Sequence, residues 1–120
     1  MNKVIGRFKP KKYAFKLPAN YVKAFEKEQL LDRQIIIGIR PENVKLEGLY
    51  GDGAITGEFK ISELMGADRY IYLDIGETKP IVMRGSANYY FTSNEKVNVV
   101  FDMSLALFFY YDSGARVIEV

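Results

Sequence analysis

Few of the side chains that perform protein chemistry are present in this 120-residue sequence. It contains no cysteine and no histidine, so disulfides, thiolate metal sites, serine–histidine triads and histidine-based zinc sites are excluded. The acids that could form a carboxylate pair fall in separate predicted turns: Asp52, Asp68, Asp74 and Glu77. Turn carboxylates usually bond to their own backbone. The glycines at 51–57 also miss the spacing of a nucleotide-binding loop. We therefore do not expect catalysis by this chain alone.

The N-terminal end of the chain is basic. The first 16 residues hold six cations and no acid, whereas the other residues hold 11 cations and 15 acids. Lys9, Lys11 and Lys12 next to aromatic side chains could bind single-stranded nucleic acid. The same lysines suit a solvated hairpin that protects an exposed sheet edge. We favour the hairpin, because the rest of the chain adds no basic face.

Aromatic side chains are the most plentiful candidates for a contact surface. The chain has nine tyrosines and eight phenylalanines, and the densest groups of them lie at 89–91 and 108–111. Strand alternation would expose about half of each cluster. Exposed aromatics form protein interfaces or stack on bases and sugars, although a small barrel also uses them in its core. The candidate interface residues are Tyr89, Tyr90, Phe91, Phe108 and Tyr110.

The elements that must position these residues are predicted to be mostly strands. Residues 3–8 and 12–17 alternate as two short strands, and Pro18 opens a helix that should end near Asp32. Ile35–Ile39 is a β-branched run typical of a strand buried on both faces. Residues 44–61 are predicted to be two strands around the turn Gly51-Asp52-Gly53.

The second half of the chain continues the β pattern. Ile55, Phe59 and Ile61 are predicted to point inward, with a bulge near Ser62-Glu63 where the alternation changes phase. Further strands are predicted over 70–75, 81–84, 97–101, 107–111 and 117–120. Short strands turned every 8 to 12 residues, with one helix, indicate an all-β fold: a small OB-like antiparallel barrel with one short helix. We expect residues 1–120 to form a single domain.

Three segments, in order, resemble a known family. "IIIGIRPENVKL", "ISELMGADRYIYLDIG" and "SLALFFYYDSGARVI" are similar to motifs of the TOBE (transport-associated OB) domain, the C-terminal regulatory domain of ABC-type sugar-importer ATPase subunits. The residues that match the family motifs are Gly38, Arg40, Pro41, Glu42, Glu63, Gly66, Tyr70, Tyr72, Gly114 and Arg116. Ala106 departs from the pattern, because the family has histidine there. For Arg40 to Glu42 we expect a mainly structural role at the end of a strand.

The resemblance implies a regulatory and dimerisation domain without its own cofactor. ATP and Mg²⁺ are then expected only in an ATPase domain upstream of residue 1. The implied partners are that ATPase domain, a second copy of the subunit, the membrane permease indirectly, and a cytosolic regulatory protein. The implied location is cytoplasmic, at the inner face of the cell membrane through the transporter complex. Any enzymatic activity would belong to the full-length ATPase subunit, and no nucleic acid is expected.

Two alternatives stay open at this point. An OB-type module could bind single-stranded nucleic acid through the basic N-terminal residues. It could also be a sensor for an oxyanion or another small ligand, as other TOBE modules are, although no internal duplication is found here.

Overall fold

The computed structural model describes residues 1–7, 17–46 and 55–118, which form two antiparallel sheets and one helix. The strands and the helix α1 have these bounds: β1 Asn2–Arg7, α1 Ala19–Lys27, β2 Gln34–Ile39, β3 Val44–Leu46, β4 Ile55–Met65, β5 Asp68–Asp74, β6 Ile81–Ser86, β7 Lys96–Phe101 and β8 Leu107–Tyr110. Two 3₁₀ turns lie at Pro41–Asn43 and Met103–Leu105. The predicted all-β class with one short helix is confirmed.

The order of the strands differs from the order predicted around the glycine-rich turn. One sheet has the order β1-β2-β8 and the other the order β3-β7-β4-β5-β6. The hairpin predicted between β3 and β4 is wrong, because both strands pair with β7, which lies between them. Val97 and Val99 of β7 are buried, as expected for a strand that has a neighbour on each side. The turn itself, at 51–53, and residues 12–16 of the second predicted strand lie outside the described residues.

Helix α1 packs on the three-stranded sheet. It begins after Pro18, whose carbonyl accepts a hydrogen bond from the Tyr21 N–H at 2.9 Å. The predicted end near Asp32 is too late: the helix ends at Lys27, because Gln29 adopts a left-handed φ of 55°. The chain then turns so that Leu30 is buried and its N–H bonds to the carbonyl of Phe25 at 2.8 Å.

Strand β4 contains the predicted bulge, but earlier than the sequence indicated. The register against β5 shifts between Phe59 and Ile61, not at Ser62-Glu63. The shift turns Ile61 to the solvent, where 57% of its surface is exposed, so the predicted inward orientation of Ile61 is wrong. Ile55 and Phe59, which precede the shift, pack with the core as predicted.

The C-terminal part of the described chain is only loosely paired. Residues 117–120 were predicted to form a strand, but Arg116 makes a single bridge with Phe109. Val117 is buried, and its N–H donates to the carbonyl of Phe108 at 2.8 Å. Residues 119–120 lie outside the described residues.

The two sheets meet at the outer edge of β6, and a side chain joins them there. Asn2 in β1 donates through Nδ2 to the carbonyl of Val82 at 2.8 Å. Its Oδ1 accepts from the N–H of Val82 at 2.7 Å. Asn2 is the one polar residue that the described chain buries. The sheets therefore do not close into a continuous hydrogen-bonded barrel, and one amide replaces a strand pairing at this seam.

Candidate functional site

The Arg40-Pro41-Glu42 trio forms the corner after β2. β2 ends at Ile39, and Pro41 begins a 3₁₀ turn that closes when the Asn43 N–H donates to the carbonyl of Arg40 at 2.9 Å. The side chains of Arg40 and Glu42 are both exposed. They form no ion pair with each other, so the corner is stabilised by backbone bonds and not by the charges. The predicted structural role of Pro41 fits this geometry.

The motif glycines occupy positions that other residues would strain. Gly66 and Gly114 have left-handed φ values of 67° and 73°, in the β4–β5 turn and in the loop after β8. Gly38 is buried in β2, and a Cβ atom there would lie 2.8 Å from the ring of Phe109. The exposed Arg116 follows this loop and bridges to Phe109 through its backbone. These residues position the backbone and form no common site.

The outer face of β4, β5 and β6 carries apolar side chains where a solvated sheet face is usually polar. We call this surface the hairpin face, and it consists of Ile61, Met65, Tyr70, Tyr72 and Val82. These residues share one face because Ile61 pairs with Tyr72, and Tyr72 pairs with Val82. Ile61 and Met65 are 57% and 50% exposed, and the other three are half-buried. Exposed apolar side chains grouped on one face of a sheet make that face a candidate contact surface.

Charged groups lie among the apolar residues of the hairpin face. Arg84 donates to Asp68 Oδ2 through Nε and Nη2, both at 2.9 Å, and this hydrogen bonding and the charge of Asp68 raise the pKa of Arg84. Glu63 lies opposite Tyr70. Partial burial raises the pKa of Tyr72, and the neighbouring carboxylate of Glu63 raises it further. The face therefore offers both signs of charge to a partner.

Tyr89, Tyr90 and Phe91 divide between the core and the solvent as strand-like alternation predicts. Tyr89 packs so closely on Gly85 that a Cβ atom at Gly85 would lie 2.7 Å from the tyrosine ring. Phe91 contacts Phe59, with 5.7 Å between the ring centroids. Tyr90 points outward and is 76% exposed. Of this cluster, Tyr90 is the residue best placed to touch a partner.

Arg69 is not among the residues that match the family motifs. Its guanidinium lies 4.8 Å from the centroid of the Tyr90 ring. Nε donates to the carbonyl of Ala87 at 2.9 Å, and Nη1 donates to the Ser62 hydroxyl at 3.2 Å. These bonds hold one face of the exposed ring in place. No periodicity in the sequence connects positions 69 and 90.

Phe108 and Tyr110 do not form an exposed pair. Phe108 has 0% exposure and lies between Tyr21 and Phe25, with centroid distances of 4.7 and 5.3 Å. Its prediction as an interface residue is wrong, because the helix covers this face of β8. Tyr110 is half-buried and packs against the core, and its N–H donates to the carbonyl of Ala115 at 2.8 Å.

The described residues contain no cluster of three or more acidic side chains that could hold a metal ion. Lys9, Lys11 and Lys12, on which a nucleic-acid surface would depend, lie outside the described residues. No helix in the described parts of the chain is long and apolar enough to span a membrane. What the geometry presents is a packed β scaffold with exposed apolar and aromatic side chains.

The family can now be stated from the sequence match. Residues 37–109 match the model of the TOBE domain, from the centre of β2 to the third residue of β8. The chain belongs to the TOBE domain family. The match covers strands of both sheets and includes most of the motif residues. Gly114 and Arg116 lie beyond its end.

This TOBE domain is also similar to parts of longer curated proteins. It is 28% identical over 100 residues to the "Multiple sugar-binding transport ATP-binding protein MsmK" of Streptococcus mutans, over 80% of this chain and 26% of that protein. It is 26% identical over 108 residues to the "Oligosaccharides import ATP-binding protein MsmX" of Bacillus subtilis, over 87% of this chain and 29% of that protein. The chain thus spans little more than a quarter of the length of these relatives.

Among solved structures, the TOBE domain is similar to the cytoplasmic molybdate-binding protein ModG in a form with molybdate bound. The TM-score is 0.58 with 14% sequence identity, covering 72% of this chain and 70% of that chain. At this identity the similarity shows the fold. It confirms the predicted OB-like architecture, in which the sheets are not closed into one barrel.

Proposed function

We propose that this TOBE domain is a non-catalytic regulatory and dimerisation domain of the ATP-binding subunit of an ABC-type carbohydrate importer. In this proposal ATP and Mg²⁺ bind to the ATPase domain of the same subunit, which connects the TOBE domain to the membrane permease. The complex works at the cytoplasmic face of the cell membrane and offers a surface to a cytosolic regulatory protein. The family match and the similarity to two ATP-binding proteins of sugar transport support it.

The observation that carries the contact role is the hairpin face. Its most exposed apolar residues are Ile61 and Met65 on β4, with Glu63 between them, and the Arg84–Asp68 pair joins β6 to β5 on the same face. A two-fold interface brings the same patch of two copies together, so the patch must complement itself in charge. A surface that mixes apolar residues with both signs of charge meets this requirement. We therefore propose the hairpin face as the contact with a second copy.

The size of the hairpin face sets the expected strength of this contact. Three strands spaced about 4.8 Å apart, each over a length of about five residues, make a flat area on the order of 200–250 Å². A stable interface buries about 800 Å² on each partner. The isolated domain should therefore dimerise weakly, and linked ATPase domains that hold two copies close together would strengthen the contact.

Sedimentation equilibrium tests the proposal on the 120-residue chain. At concentrations from about 10 µM to about 1 mM we expect a monomer–dimer equilibrium with a Kd on the order of 0.1–1 mM. Replacing both Ile61 and Met65 by serine should abolish it. Leu105→Ser is the matched control, since Leu105 is 56% exposed in a 3₁₀ turn outside the hairpin face. A strict monomer, or equal loss of dimer in the control, contradicts the proposal.

Neither the nucleic-acid alternative nor the oxyanion alternative is favoured by an observation on the described residues. The nucleic-acid alternative depends on lysines that lie outside them. The oxyanion alternative rests on the molybdate of a structural relative whose similarity extends to the fold alone. Both would need a cationic site, and the guanidinium of Arg84 is already paired with Asp68.

A further inference from the structure

A cleft runs along the outer edge of β6, between β6 and β3. These are the two edge strands of the five-stranded sheet, and they approach within 8 Å between Cα atoms without pairing. The cleft has a volume of about 460 Å³. That volume falls within the range of about 300–1,000 Å³ usual for small-molecule sites. The described chain thus has an open cleft of ligand size, which shares Asp68 and Arg84 with the charged groups of the hairpin face.

The charges that line the cleft cancel. Lys45 and Arg84 supply two cations, and Glu42 and Asp68 supply two carboxylates. An oxyanion would meet two carboxylates here, and a cation would meet two cations, so neither is favoured by the net field. A neutral ligand meets no such repulsion. The cleft therefore suits an uncharged molecule that has many polar groups.

The Asp68–Arg84 pair presents hydrogen-bonding atoms that a hydroxyl group can use. The pair is made through Asp68 Oδ2 and Arg84 Nε and Nη2. Asp68 Oδ1 keeps its acceptor positions, and Arg84 Nη1 keeps its two donors. Both side chains are partly exposed, so a ligand can reach them. A hydroxyl both donates and accepts, and two adjacent hydroxyls match a carboxylate beside a guanidinium.

An aromatic side chain forms an apolar wall of the same cleft. Tyr89 lines it and is half-buried, and close packing on Gly85 fixes the position of its ring. The C–H face of a sugar ring is apolar, and contact with an aromatic ring removes that face from water. An aromatic wall beside paired polar side chains is suited to a molecule that is apolar on its ring faces and polar around its edge.

We propose that the β3–β6 cleft binds a neutral mono- or disaccharide. The Asp68–Arg84 pair bonds to adjacent hydroxyls, Tyr89 stacks on a ring face, and Lys45 and Glu42 bond to the remaining hydroxyls. The proposal rests on the geometry of this chain and not on the proposed dimer. Binding of a sugar at the edge of β6 would give the domain a ligand of its own.

Titration of the ¹⁵N-labelled 120-residue chain tests this site by NMR. The probes are glucose, maltose and raffinose, each raised to about 50 mM, with sulfate and molybdate as oxyanion probes at the same concentrations. We expect at least one saccharide to shift amide signals confined to β3, β6 and the segment around Tyr89, with a Kd on the order of millimolar. Asp68→Asn should weaken that binding by about tenfold or more, because it removes a charged acceptor.

Glu26→Gln, an exposed change on α1, is the matched control and should leave the saccharide affinity unchanged. Retained signal dispersion in both variants shows that they fold. The proposal is overturned if no saccharide shifts these signals, if the shifts lie elsewhere, if the oxyanions bind as well as the sugars, or if Asp68→Asn binds as tightly as the parent. The dimer can fail in sedimentation while saccharide binding succeeds, so the two proposals are separately testable.

Discussion

The seam between the sheets provides the sharpest stability prediction. Asn2→Ala removes the amide that bonds to both the N–H and the carbonyl of Val82, at 2.7 and 2.8 Å. Each such hydrogen bond contributes about 1 kcal/mol net, and leaving a buried backbone group unpaired costs about 1–3 kcal/mol. Val82 is half-buried, so water will satisfy part of the loss. We expect Asn2→Ala to lower the free energy of unfolding by about 2–4 kcal/mol.

Urea unfolding followed by circular dichroism measures this change. With an m-value of about 1–3 kcal/mol per molar, the midpoint should fall by about 1–2 M. Asn98→Ala is the matched control, because Asn98 is exposed and its side chain bonds only to the Thr56 hydroxyl. The control should change stability by less than about 1 kcal/mol. If Asn2→Ala costs no more than Asn98→Ala, the seam does not depend on this amide.

A charged variant separates the hydrogen bonds from simple packing. Asn2→Asp keeps the acceptor for the Val82 N–H but places a carboxylate oxygen against the Val82 carbonyl. The folded state should therefore raise the pKa of the introduced carboxyl, so the folded state binds more protons than the unfolded state. The variant should become more stable relative to the parent as the pH falls through that pKa. A stability difference that does not vary with pH would argue against facing oxygen atoms.

Three further changes follow from the packing and the charges. Phe108→Ala should lower the free energy of unfolding by about 3–5 kcal/mol in urea, because Phe108 is fully buried. Glu63→Gln should lower the pKa of Tyr72, measured from its ring ¹³C signals against pH, because a negative neighbour disfavours tyrosinate. In the parent, the stability that the raised Tyr72 pKa represents is present below pH about 10 and lost as pH rises through the folded pKa. Gly85→Ala should cost about 1–3 kcal/mol in urea, because its Cβ would meet the Tyr89 ring.

Each of these changes has its own control. Tyr111→Ala alters an aromatic residue that is exposed next to β8 and should be nearly neutral, in contrast to Phe108→Ala. Glu26→Gln removes a carboxylate on α1 and should leave the Tyr72 pKa unchanged. Tyr89→Leu should relieve part of the cost of Gly85→Ala, so the two changes would be non-additive. Additive effects of Gly85→Ala and Tyr89→Leu would contradict the predicted contact between these residues. A loss of stability with Tyr111→Ala equal to that with Phe108→Ala would contradict the packing argument. A Tyr72 pKa that Glu63→Gln leaves unchanged would contradict the electrostatic argument.

Sequence reasoning performed best where a pattern is local. The run at Ile35–Ile39 predicted β2, Pro41 predicted the end of that strand, and Ile71 and Leu73 alternate in β5 and are buried. In each case neighbouring residues impose the backbone conformation or the face. Such signals need no knowledge of distant partners.

The failures arise where partners are distant in sequence. The bulge before Ile61 turned an apolar residue outward, and helix α1 covered Phe108, which alternation alone could place on either face. Arg69 meets Tyr90 only because β5 and the segment after β6 are neighbours in the fold. The Asn2 amide likewise finds Val82 across 80 residues.

By itself, the sequence determined that this protein has no histidine or cysteine chemistry, that it is mainly β, and that its motifs are those of a TOBE domain. Only the tertiary structure decided that β7 lies between β3 and β4, that apolar residues face the solvent on β4–β6, and that a charge-balanced cleft opens at β6. The physical reason is that composition and alternation act within a segment, whereas sheet order and clefts depend on which distant segments bury each other.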